Sequence, residues 1–498
     1  MSADYTEIQR NINSNNAKER EEAALKIAST FFILKNKDQA WQDLLALIMD
    51  QDRDVRLHAA SALGNAFKYL TDKAQGSKEL LALTKDPYNN VRFCAAVALG
   101  SAFWYLTDKE QGSKDLLALT KDPYSDVRLR ATIALGSAFQ YLTDKAQGSK
   151  ELLALTKDPD NDVRLRAAGV LGTAFPYLTD KEQGSKYLLA LTKDPYSDVR
   201  LRTAFALGSV FRYLTDKEQA WKDIMGLTKD QDSVVRWRAA VSLGSAFQYL
   251  NDKNQAWKYL FALTKNPDSS VRWGAVDALG CAYQYLTNKE QELKDLLALT
   301  KDPDSGIRRR VAEALGSTFQ YLTDKEQALK DLIALTNDED KNVRVSANHS
   351  LGKISVYRAT NAEDEDFLQK ELENAIGFFE KSARESTFFN PARFCLPFYR
   401  SYYSVIFEKK EAEDEVKENL AEAKRAISGS ESRDKLLEAV ENLSNALKEA
   451  QKLRDLDDIK TDLNGYRRYC DRACELLDVT EDRSPRGYTI SKEGAACD

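Results

Sequence analysis

The chain has 498 residues, which is too long for one compact core and indicates several domains or one array of repeats. Its 72 basic and 78 acidic residues leave a net charge of −6, and this mild acidity argues against a general nucleic-acid binder, which carries a basic domain. With 43% hydrophobic and 30% charged residues, the composition is that of an ordinary globular protein.

The first residues after Met1 show no targeting signal, because they are polar and acidic and lack the apolar core of a signal peptide. The chain contains no apolar run of roughly 18 residues, so neither a membrane span nor a membrane partner is expected. Its six cysteines are scattered, without the spacing of a secreted disulfide framework. These features predict a cytoplasmic protein.

A Leu-Gly pair recurs every 36 residues, without insertion or deletion. The pairs are Leu63-Gly64, Leu99-Gly100, Leu135-Gly136, Leu171-Gly172, Leu207-Gly208, Leu243-Gly244, Leu279-Gly280, Leu315-Gly316 and Leu351-Gly352. A fixed period of this size indicates stacked supersecondary units. The array is predicted over residues 41–355. Residues 1–40, where Ile27 is in phase with Leu63, are predicted to form an N-terminal helical cap with a degenerate repeat.

Each repeat is predicted to contain two helices. In the repeat at Leu99, the first helix spans about residues 73–84, with Asp72 as its N-cap. The turn around Pro87 ends it, because proline cannot continue a helix. The second helix spans about residues 91–105, where apolar residues recur at steps of three and four.

The recurring string Asp86-Pro87-x-x-x-Val91-Arg92-x-x-Ala95-Ala96-x-Ala98-Leu99-Gly100 resembles the HEAT repeat in its phycobilisome-lyase-like subtype, an archaeal and bacterial type. The resemblance covers residues 20 to about 355. It implies an all-α fold, a right-handed α-solenoid of the HEAT or armadillo kind. In such stacks the second helices line the concave surface.

The resemblance also implies a structural ladder, in which an aspartate of each turn and an arginine six residues later connect neighbouring repeats. The carboxylate can cap the following helix, and the guanidinium can bridge to an adjacent repeat. The central ladder residues are Asp86, Arg92, Asp122, Arg128, Asp158, Arg164, Asp194 and Arg200. Asn266 departs from the pattern, and we expect a weaker contact in that repeat.

Three positions of the second helix differ between repeats and define a variable stripe. They are the third, seventh and fourteenth, counted from the valine of Val-Arg, and their spacing places them on one face. The candidate partner-binding residues on this stripe are Phe93, Trp104, Phe205, Arg212, Trp237, Trp273, Asp277, Arg309 and Glu313. Exposed aromatics with arginine are typical of protein interfaces. In the alternative interpretation, Trp237 and Trp273 pack between neighbouring repeats.

The fourth position defines an arginine row. Its members are Arg130, Arg166, Arg202, Arg238 and Arg310. Such a row could follow phosphates or an acidic peptide. The acidic net charge favours solvated or intramolecular roles instead.

The sequence lacks recognisable catalytic and cofactor chemistry. Its two histidines, His58 and His349, are far apart and predict no metal site. HEAT-repeat deoxyhypusine hydroxylases bind iron through His-Glu pairs, and this chain has none. No phosphate loop or nucleophile elbow is present, and Cys470 and Cys474 lack two further ligands. We therefore predict no enzyme activity and no cofactor.

After residue 355 the repeat pattern ends. Helices are predicted at about 364–384, 391–407, 410–427, 431–454 and 457–478, forming a C-terminal helical bundle domain over residues 356–480. Leu436, Val440, Leu443, Leu447 and Ala450 form the predicted seam of a helical hairpin. Phe394, Phe398, Tyr402 and Tyr403 form its predicted core, or else cap the last repeat. The tail at 481–498 is predicted to be disordered.

These features favour a scaffold that binds a protein or peptide in the concave groove of the solenoid. Two alternatives stay open. One is a lyase-type or oxidoreductase-accessory protein that acts on a cofactor or a modified protein. The other is a nucleic-acid binder that uses the arginine row.

Overall fold

The computed structural model describes residues 5–287, 289–385, 390–411 and 433–478, without the side chains of residues 433–437 and 474–478. Over these residues the regular secondary structure is entirely helical. The chain divides into two compact units, Met1–Leu227 (unit 1) and Thr228–Asp498 (unit 2).

Unit 1 is a stack of helix pairs preceded by one short helix. Its helices are α1 (Tyr5–Ile12), α2 (Ala17–Thr30), α3 (Lys37–Leu47), α4 (Arg53–Ala66), α5 (Lys73–Leu83), α6 (Asn89–Ala102), α7 (Lys109–Leu119), α8 (Ser125–Ala138), α9 (Lys145–Leu155), α10 (Asn161–Ala174), α11 (Lys181–Ala190), α12 (Ser197–Val210) and α13 (Lys217–Leu227). From α3 onward, odd-numbered helices are first helices and even-numbered helices are second helices.

Unit 2 continues the same alternation and then adds four longer helices. Its helices are α14 (Ser233–Ala246), α15 (Lys253–Leu263), α16 (Ser269–Tyr283), α17 (Glu290–Ala298), α18 (Ser305–Thr318), α19 (Lys325–Leu335), α20 (Lys341–Ala359), α21 (Glu365–Arg384), α22 (Ala392–Ile406), α23 (Arg433–Ala450) and α24 (Leu456–Asp478). The prediction of an all-α solenoid is confirmed.

Local signals set the helix ends. The predicted N-cap Asp72 accepts a hydrogen bond from the backbone N–H of Gln75, so this cap is confirmed. Most second helices of unit 1 end in a short 3₁₀ turn whose phenylalanine is buried, as at Phe103 to Tyr105. The backbone N–H of Leu106 bonds to the Phe103 carbonyl, and the chain then turns into the next first helix.

The glycines of several Leu-Gly pairs lie where two second helices meet closely. A methyl group on Gly64 would come within 2.8 Å of the Ala98 carbonyl oxygen. In unit 2 a methyl group on Gly244 would come within 2.6 Å of the Ala278 Cα. Contacts this short leave no room for a side chain, so the 36-residue recurrence of glycine follows from the packing of second helices on one another.

The C-terminal helices share a core with the end of the last repeat. Phe394, Phe398 and Tyr402 are buried there, as predicted, whereas Tyr403 lies only partly inside. Val356 and Ala359 of α20 belong to the same core, so these aromatics also cover the last repeat. The seam residues Val440, Leu443, Leu447 and Ala450 are buried as well. The predicted helix at 410–427 and the predicted tail at 481–498 lie outside the described residues, apart from residues 410 and 411.

Candidate partner-binding face

Ladder arginines of unit 1 bond both to their own turn and to the next repeat. Arg92 donates from Nε to Asp122 Oδ2 at 2.6 Å and from Nη1 to the Asp86 carbonyl at 2.8 Å. Arg128 with Asp158 and Arg164 with Asp194 repeat this arrangement. Arg200 likewise donates to the Asp194 carbonyl at 2.7 Å.

The ladder carboxylates act in the turn and not at the helix cap, which corrects the prediction that they cap the following helix. Asp122 Oδ1 accepts the backbone N–H of Tyr124, the residue that precedes α8. The N-cap position belongs to Tyr124 itself, two residues after the ladder aspartate. In other repeats this position is an aspartate, such as Asp160, whose side chain does accept from the helix.

Sequence reasoning missed a further arginine of the same kind. Arg20 binds Asp50 through both Nε (2.6 Å) and Nη2 (2.9 Å). Arg20 precedes the ladder residue Arg56 by 36 residues, so the repeat period alone could have identified it as a ladder arginine. The degenerate N-terminal repeat therefore keeps this contact although it has lost the Leu-Gly pair.

In unit 2, two ladder arginines bind the N-cap aspartate of the next repeat instead of its turn residue. Arg236 binds the carboxylate of Asp268, the N-cap residue of α16, in place of the missing charge at Asn266. Arg272 then binds the next N-cap residue, Asp304, at 2.6 Å. Both arginines therefore still bind the next repeat, but through its N-cap aspartate and not through its turn residue.

In unit 1 the variable stripe is partly accessible. Phe93 and Phe205 are half-buried. Trp104 is 54% exposed, and its ring packs edge-on against Tyr141 with centroids 4.3 Å apart. Arg212 is exposed, and its guanidinium lies over the Tyr213 ring. The stripe in unit 1 thus offers aromatic surface to solvent.

Within the arginine row of unit 1, Arg130 is poorly neutralised. The Arg130 guanidinium lies 5.0 Å from the centre of the Phe93 ring. Its Nε is buried and has no hydrogen-bond partner among the described residues. Burial lowers the pKa of Arg130, and the nearby cations Arg166 and Arg53 lower it further, against a smaller opposite effect of Asp126.

In unit 2 the stripe is more closed. Trp237 is only 3% exposed, so the expected partial exposure is wrong for this residue. The reason is Gly274, which stands where neighbouring repeats have an arginine of the row, and a methyl group there would meet the Trp237 carbonyl oxygen at 2.8 Å. Trp273 is half-buried, with the Arg310 guanidinium 5.8 Å from its ring centre.

The charged end of the stripe pairs its own charges. Arg310, whose side chain is 3% exposed, donates from Nη1 to both carboxylate oxygens of Asp277 at 2.8 and 2.6 Å. Glu313 accepts from Ser346 Oγ at 2.8 Å and lies 4.0 Å from the Arg309 guanidinium. Arg310 is therefore an intramolecular member of the row.

A cavity of about 270 Å³ opens beside these residues. It is lined by α16, α18 and α20, and by Pro391 and Asp471 from the C-terminal helices. Asp471 binds Lys353 at 3.0 Å across it. The cavity thus brings together Asp277, Arg309 and Glu313, three of the predicted site residues.

His349 also lines this cavity and is buried. Its Nε2 lies 3.8 Å from Cys395 Sγ, and its ring packs on Phe379. Burial lowers the pKa of His349 to about 3, with a further lowering by Lys353 and a smaller opposite effect of Asp471. No group of three or more metal-ligating side chains occurs among the described residues.

Comparison with known proteins gives one family and one fold. The model of the family described as HEAT repeats matches residues 41–136, 113–208, 149–244, 185–280, 224–316 and 293–373. No curated protein matches. None of the helices described here is long and apolar enough to cross a membrane.

Among solved structures, the chain is similar to yeast importin-beta (Kap95p), with a TM-score of 0.54 and 13% identity over 93% of this chain and 65% of that chain. A structure of Kap95p with RanGDP has a TM-score of 0.55 and 13% sequence identity, and the match covers 95% of this chain and 63% of that chain. The Kap95:Nup1 complex has a TM-score of 0.52 and 15% sequence identity, and the match covers 95% of this chain and 63% of that chain. The chain spans about two thirds of the length of these proteins, and at these identities the likeness shows the fold alone.

Proposed function

The chain belongs to the family of HEAT-repeat proteins, and from this premise we propose that it is a non-enzymatic scaffold that binds a protein or peptide along the variable stripe of its second helices. The family and the solenoid fold support this kind of role. Kap95p, a protein of the same fold, occurs in structures with RanGDP and with Nup1. We further propose that the repeats are of the phycobilisome-lyase-like subtype and that the stripe lines a concave groove. Cytoplasmic localisation and the division into four segments stay predictions.

One observation carries the proposal, namely the exposure of Trp104. A tryptophan that is 54% exposed places a large apolar surface in water, and one side of its ring packs against Tyr141. Tryptophan is enriched among the residues that dominate binding energy in protein interfaces. The Lys109 ammonium, 5.9 Å from the ring centre, adds a cation beside it.

Photo-crosslinking tests the position of the proposed surface. A photoreactive phenylalanine analogue at position 104 is expected to capture a discrete protein from native lysate. The same analogue at Lys78, an exposed residue of the first helix α5, is the matched control and is expected to capture nothing in common with it. Equal capture at both positions, or nucleic acid or a chromophore in place of protein at position 104, would contradict the proposal.

A pair of alanine variants separates binding from folding. Trp104→Ala is expected to weaken binding of the captured partner by about 2 kcal/mol while leaving thermal stability nearly unchanged, because the ring is mostly in water. Trp237→Ala is expected to cost about 3–5 kcal/mol of stability, because it leaves a cavity between packed helices. Thermal melts and binding titrations on both variants measure the two effects. If Trp104→Ala strongly lowered the melting temperature, Trp104 would be a core residue and not a binding residue.

A further inference from the structure

Two members of the arginine row, Arg130 in unit 1 and Arg310 in unit 2, share one geometry but differ in their neutralisation. Arg130 lies over Phe93, and Arg310 lies over Trp273, the residue 37 positions earlier in both cases. The residue 33 positions before Arg310 is Asp277, which neutralises it through two short bonds. The residue 33 positions before Arg130 is Val97. Unit 1 therefore keeps the cation and lacks the carboxylate.

Neighbouring side chains supply little of the missing charge, because Asp126 raises the pKa of Arg130 by less than the nearby cations lower it. Neither Arg166 nor Arg53, both exposed, forms an ion pair with an acid of the described chain. Both stand close enough to Arg130 to lower its pKa, so the three guanidinium groups form a like-charged cluster. The half-buried apolar residues Phe93 and Val97 lie on α6, which packs against both α4 and α8, and Leu129 lies on α8 beside Arg130. The surface is thus cationic with apolar residues between the charges.

We propose that this surface of α4, α6, α8 and α10 docks an acidic, extended peptide segment of the partner, whose carboxylates take the place that Asp277 fills beside Arg310. The proposal rests on the proposed function and adds the chemistry of the partner. Charge complementarity supports it, because guanidinium groups bind carboxylates with two parallel bonds. The spacing agrees as well, since packed helices are ~8–10 Å apart and three residues of extended chain span about 10 Å.

The probe for this test is a fluorescein-labelled peptide of twelve residues with glutamate at every third position and leucine and serine between. Anisotropy titrations at low salt are expected to show binding of this peptide and at least about tenfold weaker binding of its glutamine counterpart, since one lost charge-assisted bond is worth about 1.4 kcal/mol or more. Equal affinity for the two peptides would overturn the proposal.

Two variants test the residues. Arg130→Gln combined with Arg166→Gln is expected to weaken binding of the glutamate peptide by about tenfold or more. Lys78→Gln with Lys150→Gln removes the same net charge from exposed positions on first helices and is expected to change the affinity by less than about twofold. If the two double variants lose the same affinity for the glutamate peptide, the net charge alone explains the loss and the proposal is contradicted.

Val97→Asp is the sharpest variant, because it installs in unit 1 the carboxylate that unit 2 already has. The new side chain is expected to pair with Arg130 and to reduce binding of the glutamate peptide by about tenfold or more. Val97→Asn, which has the same shape without the charge, is expected to retain most of the binding. Unchanged binding in Val97→Asp would show that Arg130 does not contact the peptide.

The outcomes also separate this inference from the proposed function. The same titration is made with a single-stranded DNA of twelve nucleotides. Tighter binding of the DNA than of the glutamate peptide would contradict the proposal of an acidic peptide and indicate a nucleic-acid ligand. If crosslinking at position 104 persists in the Arg130 and Arg166 double variant at unchanged yield, the scaffold function stands and the acidic docking surface fails. If crosslinking fails while the peptide still binds through Arg130, the acidic surface stands without Trp104.

Discussion

The second helices of the two units use the same arginine in opposite ways. In unit 2, Arg310 is buried and donates from Nη1 to both carboxylate oxygens of Asp277, although its Nε has no hydrogen-bond partner among the described residues. In unit 1, Arg130 meets other cations and the face of Phe93. One residue, 33 positions earlier, makes the difference: aspartate at 277 and valine at 97. A repeat array can therefore turn one structural position into an internal contact or an open one without changing its backbone.

The helix N-termini differ between the units in a parallel way. The second helices α14, α16, α18 and α20 all begin after an aspartate whose side chain accepts from the helix backbone. In unit 1, Tyr88, Tyr124 and Tyr196 hold this position and make no side-chain cap bond. All three tyrosines are more than half exposed. Three second helices of unit 1 thus lack the side-chain cap, whereas α4 and α10 keep one through Asp52 and Asp160.

The largest expected effect is in unit 2, where breaking the internal pair leaves a buried charge. Asp277→Ala is expected to lower the stability of α16 and α18 by about 3 kcal/mol, because the Arg310 side chain, which is only 3% exposed, would lose its carboxylate partner. Asp277→Ala with Arg310→Met is expected to recover much of the loss. Glu326→Ala removes the same charge from an exposed first helix and is the control. Hydrogen exchange in α16 and α18 measures the change, and a value close to the control would contradict an internal role for the pair.

A pH dependence is also expected in unit 2 and not at the arginine row of unit 1. The folded-state pKa of His349, about 3, lies below the ordinary value of 6.5. Below pH 6.5 the histidine is therefore protonated in the unfolded chain but stays neutral in the folded chain. The free energy of unfolding consequently decreases as the pH falls from 6.5 towards 3. At pH 5 the loss is about 2 kcal/mol.

Chemical denaturation at pH 7.5 and pH 5 measures this effect. His349→Gln is expected to remove most of the loss, and His58→Gln, at the other histidine, is expected to retain it. A loss that survives in His349→Gln would assign the pH dependence to groups other than His349.

The smallest expected effect concerns the tyrosine caps of unit 1. Tyr88→Asp places in α6 the cap that unit 2 uses throughout, and is expected to raise stability by about 1 kcal/mol. Tyr177→Asp, an exposed tyrosine in a 3₁₀ turn, is the control and is expected to give no gain. Thermal melts compare the two. No gain from Tyr88→Asp would mean that the uncapped helix start costs nothing.

The fold could be predicted from local signals, since each repeats with the period. Asp72 marks a helix start, Pro87 marks the following turn, and the glycine of Leu-Gly marks a close helix contact. The first helix predicted at about 73–84 is observed at Lys73–Leu83, and the helix predicted at 364–384 is observed at Glu365–Arg384. Such signals lie within one repeat, so a single sequence is sufficient to identify them.

The contacts between repeats were harder to predict. The pairing of Arg310 with Asp277 depends on side-chain directions that the residue types do not encode. The cavity depends on Pro391 and Asp471, which are far along the chain from α16. For Trp237 a signal did exist, because Gly274 interrupts the arginine row and leaves room for the indole ring. Arg20 was also in phase with the period, although its repeat had lost the other marks.

Hydrogen–deuterium exchange of the whole chain, with and without the glutamate peptide, compares the two units in one measurement. We expect slower exchange in the second helices α4, α6, α8 and α10 of unit 1, and no change in α16, α18 and α20 around the cavity of unit 2. Slower exchange confined to the helices around Arg310 and Glu313, or the same pattern with the glutamine peptide, would contradict the assignment of the open arginines of unit 1 as the docking surface.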